Sequence, residues 1–109
     1  MYTPDRWVII TFDGSGVKER IFKVFASWGG SYTTGQSWRM NSGITKIVDH
    51  DTYYSVEGHS GSVYNCRKDC VGTFAYTDSV LGSYVAQSND KISVRICPIE
   101  EAIEFLKKE

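Results

Sequence analysis

The side chains of this chain best suited to hold a metal are three cysteines, Cys66, Cys70 and Cys97, and two histidines, His50 and His59. A structural zinc site needs four such ligands in a tetrahedron. Cys66 and Cys70 are spaced C-x3-C, and two further ligands would have to come from distant segments, where one thiol and two imidazoles remain. Buried or half-buried reduced thiols are therefore expected, with no metal or other cofactor. An odd number of cysteines also fits a secreted disulfide framework poorly.

Hydrolytic chemistry has equally thin support. Gly58-His59-Ser60-Gly61 resembles a serine nucleophile turn, but the G-x-S-x-G elbow fails at its last glycine, where the chain has Ser62. His59 and Ser60 are also sequence neighbours, which point different ways in extended chain. Asp49, Asp51 and Glu57 could be sought as an acid and base pair. Asp49 and Asp51 flank an expected tight turn at His50-Asp51, where aspartate serves side-chain to backbone hydrogen bonds. No glycine cluster matches a phosphate loop of the Walker type or a dinucleotide fingerprint. A non-enzymatic protein is expected.

What remains is noncovalent binding, and the residues suited to it lie in SWRMNSGITKIVDHDTYYSVEGHSGSVYNC, residues 37–66. Two polar loops, Asn41-Ser42-Gly43 and Ser60-Gly61-Ser62, can offer backbone N-H and hydroxyl donors with little bulk, as uncharged loops do for phosphate oxygens. Arg39 beside them could complete a charge-assisted pair, with Arg67 as a second candidate. Trp28, Tyr32, Trp38, Tyr53, Tyr64 and Tyr76 present flat faces on which a base can stack, although aromatics in a small sheet protein mostly serve the core. Trp38 and Arg39, between the two loops, are expected at the surface. His59 fits a hydrogen-bonded loop residue better than a base.

The elements that must position these groups read mainly as strands. Residues 6–12 (RWVIITF) are β-branched and aromatic, and Asp13-Gly14-Ser15-Gly16 is a hairpin turn signal. Residues 17–28 are the expected return strand. Val17, Ile21, Val24, Phe25 and Trp28 also fit helical spacing, but the preceding DGSG suits a hairpin better than a helix cap. Residues 29–36 read as a flap-like loop carrying Tyr32. Strands are expected at 44–49, 52–57 and 62–66, and another at 91–97, where Ile92, Val94 and Ile96 alternate with polar residues. Residues 77–88 are ambiguous: Thr77, Asp78 or Ser79 could cap a short helix that Gly82 weakens. From Pro98 onward, Glu100 and Glu101 in the first turn and Lys107 and Lys108 in the last suit a helix, with Ile99, Ala102, Ile103 and Leu106 as its apolar stripe. The expected fold is α+β: an antiparallel, twisted sheet of five or six strands with the C-terminal helix on one face.

Bulk composition narrows the partners. The 109 residues suffice for one domain, 41% are hydrophobic and 14% aromatic, and the net charge is -1. That balance supplies no positive field for duplex nucleic acid, while a small anionic ligand needs only one or two local cations. No apolar run approaches the roughly 20 residues that span a bilayer, so no membrane partner and a cytoplasmic location are expected.

The Gly-Gly-Ser-Tyr loop, Ser37-Trp38-Arg39-Met40-Asn41-Ser42-Gly43-Ile44, and Gly58 to Cys66 resemble small accessory proteins of tailed bacteriophages over the middle third of the chain. Such proteins act against host defence, either by sequestering a cyclic nucleotide immune signal, as the anti-CBASS sponge class does, or by blocking a host protein. The resemblance implies a host-cytoplasmic cyclic nucleotide binder, with Trp38, Arg39, Asn41, Ser42, Ser60, Ser62 and Tyr64 at the ligand. Gly43 and Gly61 complete the two donor loops. A symmetric cyclic dinucleotide suits a two-fold interface, so a homodimer or larger homo-oligomer is expected. Inhibition of a host protein by direct contact is the alternative.

Overall fold

The computed structural model describes residues 1–30 and 35–108. The loop carrying Tyr32 therefore lies partly outside the described residues, and Tyr32 with it. Strands β1 (Arg6–Asp13) and β2 (Ile21–Trp28) form the predicted hairpin, paired antiparallel from Arg6 with Ser27 to Phe12 with Ile21. The return strand starts four residues later than its composition suggests, because 14–20 are used in a long turn. There Asp13 Oδ1 accepts the Gly14 N-H at 2.8 Å, and the Gly16 N-H reaches the Lys91 carbonyl at 2.8 Å.

Gly14 has φ +126°, and a Cβ built on it would stand 2.3 Å from the Lys91 carbonyl oxygen. Gly14→Ala is therefore expected to cost about 2 to 4 kcal/mol of stability, combining a left-handed backbone with a backbone clash. Chemical denaturation compared with wild type measures it; a loss within experimental error would mean that the turn does not lean on Lys91.

Strand β3 (Ser37–Met40) adds to β2, and β7 (Ser93–Cys97) adds to the other edge of β1, giving an antiparallel sheet in the order β3-β2-β1-β7. Strands β4 (Ile44–Asp49), β5 (Tyr53–Gly58) and β6 (Val63–Arg67) form a second antiparallel sheet in sequence order. The fold is thus α+β, as the patterning predicts, but with seven strands in two sheets instead of five or six in one. The division falls at Asn41-Ser42-Gly43: Gly43 turns the chain at φ +131°, a conformation open to glycine, and directs β4 away from the first sheet.

Alternation on β1 and β2 then sets two cores. Trp7, Ile9, Phe22, Val24 and Ala26 face the second sheet, meeting Val56, Tyr64 and Cys66, and also Ile99 and Ala102 of helix α2 (Ile99–Lys107). Val8, Ile10 and Phe25 face the opposite way and are covered by Leu81 of helix α1 (Ala75–Ala86), with Trp38 and Met40 beside them. The first sheet is therefore buried on both faces. That is why residues 6–12 read as an almost continuous apolar run.

Helix α1 resolves the ambiguous stretch and starts earlier than its cap residues suggest. Phe74 is the capping position, and its N-H is accepted by Thr77 Oγ1 at 2.8 Å. Thr77 is fully buried, and Gly82 lies where an added Cβ would meet nothing within 4 Å, so its cost to the helix is only backbone entropy. In α2, Pro98 occupies the capping position just before the first helical residue, and Ile99 and Ala102 are the buried pair of the predicted stripe. No described helix is long and apolar enough to cross a membrane.

Candidate functional site

The two donor loops meet. Because Ile44 pairs with Gly58, the turn before β4 lies against the turn between β5 and β6. Ser42 Oγ accepts the Ser60 N-H at 3.0 Å, the Gly43 carbonyl accepts the His59 N-H at 3.0 Å, and Ser60 and Ser62 hydroxyls are 3.3 Å apart. The Gly58 and Gly61 N-H groups are likewise bonded, to the carbonyls of Ser62 and Gly58. The loops thus spend the His59 and Ser60 N-H groups on each other, and the 58–62 turn spends those of Gly58 and Gly61 internally, so four donors that could have held a phosphate are already used. Exposed hydroxyls remain.

The other predicted ligand residues separate. Trp38 and Arg39 are neighbours on β3 and point to opposite faces of the sheet. Trp38 stacks on Phe25 with centroids 5.4 Å apart and meets Tyr84 edge-on at 5.9 Å, so it is half-buried under α1. Arg39 is exposed, with its guanidinium 4.6 Å over the Tyr2 ring. Tyr2 in turn stacks on Tyr64 at 4.9 Å and touches Trp28 edge-on at 6.3 Å. Tyr64 is 2% exposed and serves the core, and burial pushes its phenol pKa up.

Asn41 is 5% exposed, and its Oδ1 accepts the Val24 N-H at 2.9 Å, extending the pairing of β2 beyond the end of β3. Both Tyr64 and Asn41 are thus structural at the positions where a ligand role was expected. Arg67 stands at the far end of β6 from the loops and pairs with Asp69 at 3.5 Å. Tyr53 stacks on His50 at 4.5 Å, and Tyr76 is exposed on α1.

Neither a metal cluster nor a reactive thiol assembles. No group of three or more metal-capable side chains occurs among the described residues. All three cysteines are free, and burial pushes the Cys66 thiol up to about 12 and the Cys97 thiol up to about 11. Neither is a thiolate near neutral pH. His50 Nε2 does lie 3.0 Å from Ser55 Oγ, a pair that sequence spacing did not single out. It occupies the outward face of the second sheet, where Ser55 Oγ also reaches Asn65 Oδ1 at 3.5 Å.

A cleft lies elsewhere, at a seam along β1. The side of β1 away from β2 is covered by two segments placed end to end. Trp7 is bridged in parallel by Val71, with the Trp7 N-H on the Cys70 carbonyl at 3.1 Å and the Gly72 N-H on the Trp7 carbonyl at 2.9 Å. From Ile9 onward β7 takes over, with Cys97 opposite Ile9. Where the two segments part, a cleft of about 590 Å³ opens.

Trp7, Ile9, Cys97 and Ile99 lie buried behind this cleft, and Val71 and Ile96 stand at its mouth, 62% and 51% exposed. Trp7 is fixed by its indole N-H, which donates to the Arg67 carbonyl at 2.7 Å, and by edge contact with Tyr54 at 6.2 Å. Lys68 and Glu100 are the charged residues of the lining. Lys68 Nζ lies 2.6 Å from Asp49 Oδ1 and 4.9 Å from the Tyr54 ring, and the hydrogen bond to Asp49 raises its pKa. With that ammonium already matched and a carboxylate nearby, the cleft suits an apolar group and not a phosphate.

No protein-family model, curated protein or solved structure matches the chain. The functional reading therefore rests on the chain's own geometry.

Proposed function

We propose that this chain is a non-catalytic binding protein that acts by direct contact with a protein partner, through the seam between Val71 and Ile96. One observation carries the reading: a cleft of about 590 Å³ whose mouth holds two of the few large apolar side chains left exposed. Its volume falls in the range of about 300 to 1,000 Å³ typical of ligand-binding clefts. Exposed apolar residues lining such a cleft mark a contact surface. The resemblance to phage accessory proteins would make that partner a host protein.

Affinity capture from host lysate with wild type and with a Val71→Asp/Ile96→Asp double variant tests this. Both positions are exposed, so the variant is expected to fold and to bind a captured partner at least about a hundredfold more weakly, the scale of lost anchor residues. A partner retained undiminished by the double variant would refute the seam as the contact.

A second reading has its own supporting observation. Arg39 is exposed with its guanidinium over the Tyr2 ring, and the Ser42 and Ser60 hydroxyls are exposed at the loop pair: a cation, an aromatic ring and hydroxyls of the kinds a nucleotide contacts. Under this proposal the protein sequesters a cyclic nucleotide without cleaving it, as a homodimer or larger assembly. Calorimetric titration with cyclic mono-, di- and oligonucleotides would then show saturable binding that Arg39→Ala abolishes, with intact ligand recovered afterwards. A flat titration across the panel removes this reading and leaves the protein contact.

A further inference from the structure

Alternate residues of an antiparallel strand send both backbone groups to the same side. In β7, the Val94 N-H and carbonyl are both satisfied by Ser88 Oγ, at 2.8 and 3.2 Å, and the Ile92 carbonyl accepts the Asn89 N-H at 2.8 Å. Val94 and Ile92 therefore face away from β1, and so does Ile96. The serine closes the outer edge at Val94. At Ile96 no backbone or side-chain partner covers that edge among the described residues.

The same holds on the other side of the seam. Since Cys70 and Gly72 supply the bonds to Trp7, the N-H and carbonyl of Val71 point outward as well. Trp7 and Ile10, the respective partners of Val71 and Ile96 on β1, are three positions apart in that strand. At strand rise this is about 10 Å, so one extended segment of about four residues reaches both open edges. A side chain of that segment would lie over the cleft between them.

We propose that the seam recognises its partner by strand addition: an extended peptide segment pairs with the outward backbone of Val71 and Ile96 and inserts one large apolar side chain into the cleft. This rests on the protein-contact reading above and names what the partner presents there. Main-chain pairing supplies affinity and the cleft supplies selectivity, the division of labour seen when a peptide extends a sheet edge. The charge at the site adds a preference. Lys68 is already paired with Asp49, whereas Glu100 is exposed and forms no ion pair among the described residues. The favoured segment therefore carries a basic residue two positions from its apolar anchor, on the same face of the strand. A protein that presented only a folded, irregular surface would leave both open edges unused.

The probe is a capped heptapeptide of alternating threonine and valine, with a central phenylalanine and a lysine two positions after it, added to the full chain under NMR observation of the backbone amides. Saturable shifts centred on Val71 and Ile96 are expected. Affinity should fall at least about tenfold when phenylalanine is replaced by alanine, and similarly when the inward-facing peptide amides are N-methylated. Glu100→Gln should weaken the lysine peptide and leave a threonine-for-lysine peptide unchanged. Undiminished binding of the N-methylated peptide, or no binding of the parent at millimolar concentration, overturns strand addition. The wider reading is judged separately: if the peptide fails while Val71→Asp/Ile96→Asp still releases a captured partner, the seam is a contact for a folded surface. If that double variant releases nothing, the contact reading fails as well.

Discussion

Replacing Trp7 by alanine is expected to remove about 3 to 5 kcal/mol of unfolding free energy, the usual cost of deleting a buried tryptophan. Against the roughly 5 to 15 kcal/mol that holds a domain together, this leaves a marginal fold. Trp7 is 2% exposed, packs between the first sheet and Tyr54, and donates its indole N-H to the Arg67 carbonyl at 2.7 Å. Its backbone holds the 70–72 segment against β1, so the same residue connects the two sheets and backs the seam cleft. Guanidinium denaturation gives the loss as a lowered midpoint at unchanged slope. Trp7→Phe separates the contributions: it keeps most of the apolar area and should cost about 1 to 3 kcal/mol, largely from leaving the Arg67 carbonyl without its donor. A Trp7→Ala loss below about 1 kcal/mol would mean that the two sheets are not joined through this residue.

The fold was legible where a single local signal dominates. Alternation located β7, the aromatic and β-branched run located β1, and the end charges with the apolar stripe located α2. It was not legible where tertiary context decides. The four residues of β3 carry no strand pattern of their own and become a strand because β2 has an edge to fill. The split into two sheets depends on Gly43, which in sequence looks like any loop glycine. Thr77 resembles a helix cap and is instead a buried residue within α1, because Phe74 takes the capping position and the threonine hydroxyl bonds back to it.

The site divides in the same way. Proximity of the two Ser/Gly loops followed from the strand pairing around them and was readable. That His59 and Ser60 would spend their N-H groups on the facing loop was not, since hydrogen-bond partners across β4 and β5 leave no mark in composition. In sequence Trp38 and Arg39 look like one surface pair, yet adjacency on a strand separates them by construction: Trp38 takes the face under α1 and Arg39 the face beside Tyr2. The seam had one visible ingredient, the alternation that puts Ile96 on the same side as Val94. The other half, Val71, lies in a polar connector with no periodicity. It meets the seam only because Cys70 and Gly72 bond to Trp7, more than sixty positions away in sequence.

The second large effect is alkaline loss of stability, and it follows from the thiols. An ordinary cysteine in the unfolded chain titrates at 9.0, while burial holds Cys66 at about 12 and Cys97 at about 11 in the folded chain. The folded state thus keeps these protons more tightly than the unfolded state. Their contribution is complete below pH 9 and is lost as pH rises toward the folded values, because unfolding then releases protons. The slope approaches about 1.4 kcal/mol for each pH unit only once the unfolded thiol is fully ionised, so each thiol forfeits roughly 2 kcal/mol between pH 9 and 11. The Tyr64 phenol, also raised by burial, pushes in the same direction.

Denaturation midpoints of wild type should therefore be nearly flat from about pH 7 to 8.5 and fall steeply above about pH 9.5. A Cys66→Ala/Cys97→Ala variant starts lower at neutral pH, through the lost packing of two buried side chains, and loses distinctly less as pH rises. The two stability curves converge. Parallel curves would show that neither thiol is shielded in the folded chain, and would remove Cys66 from the core between the sheets and Cys97 from the wall behind the seam.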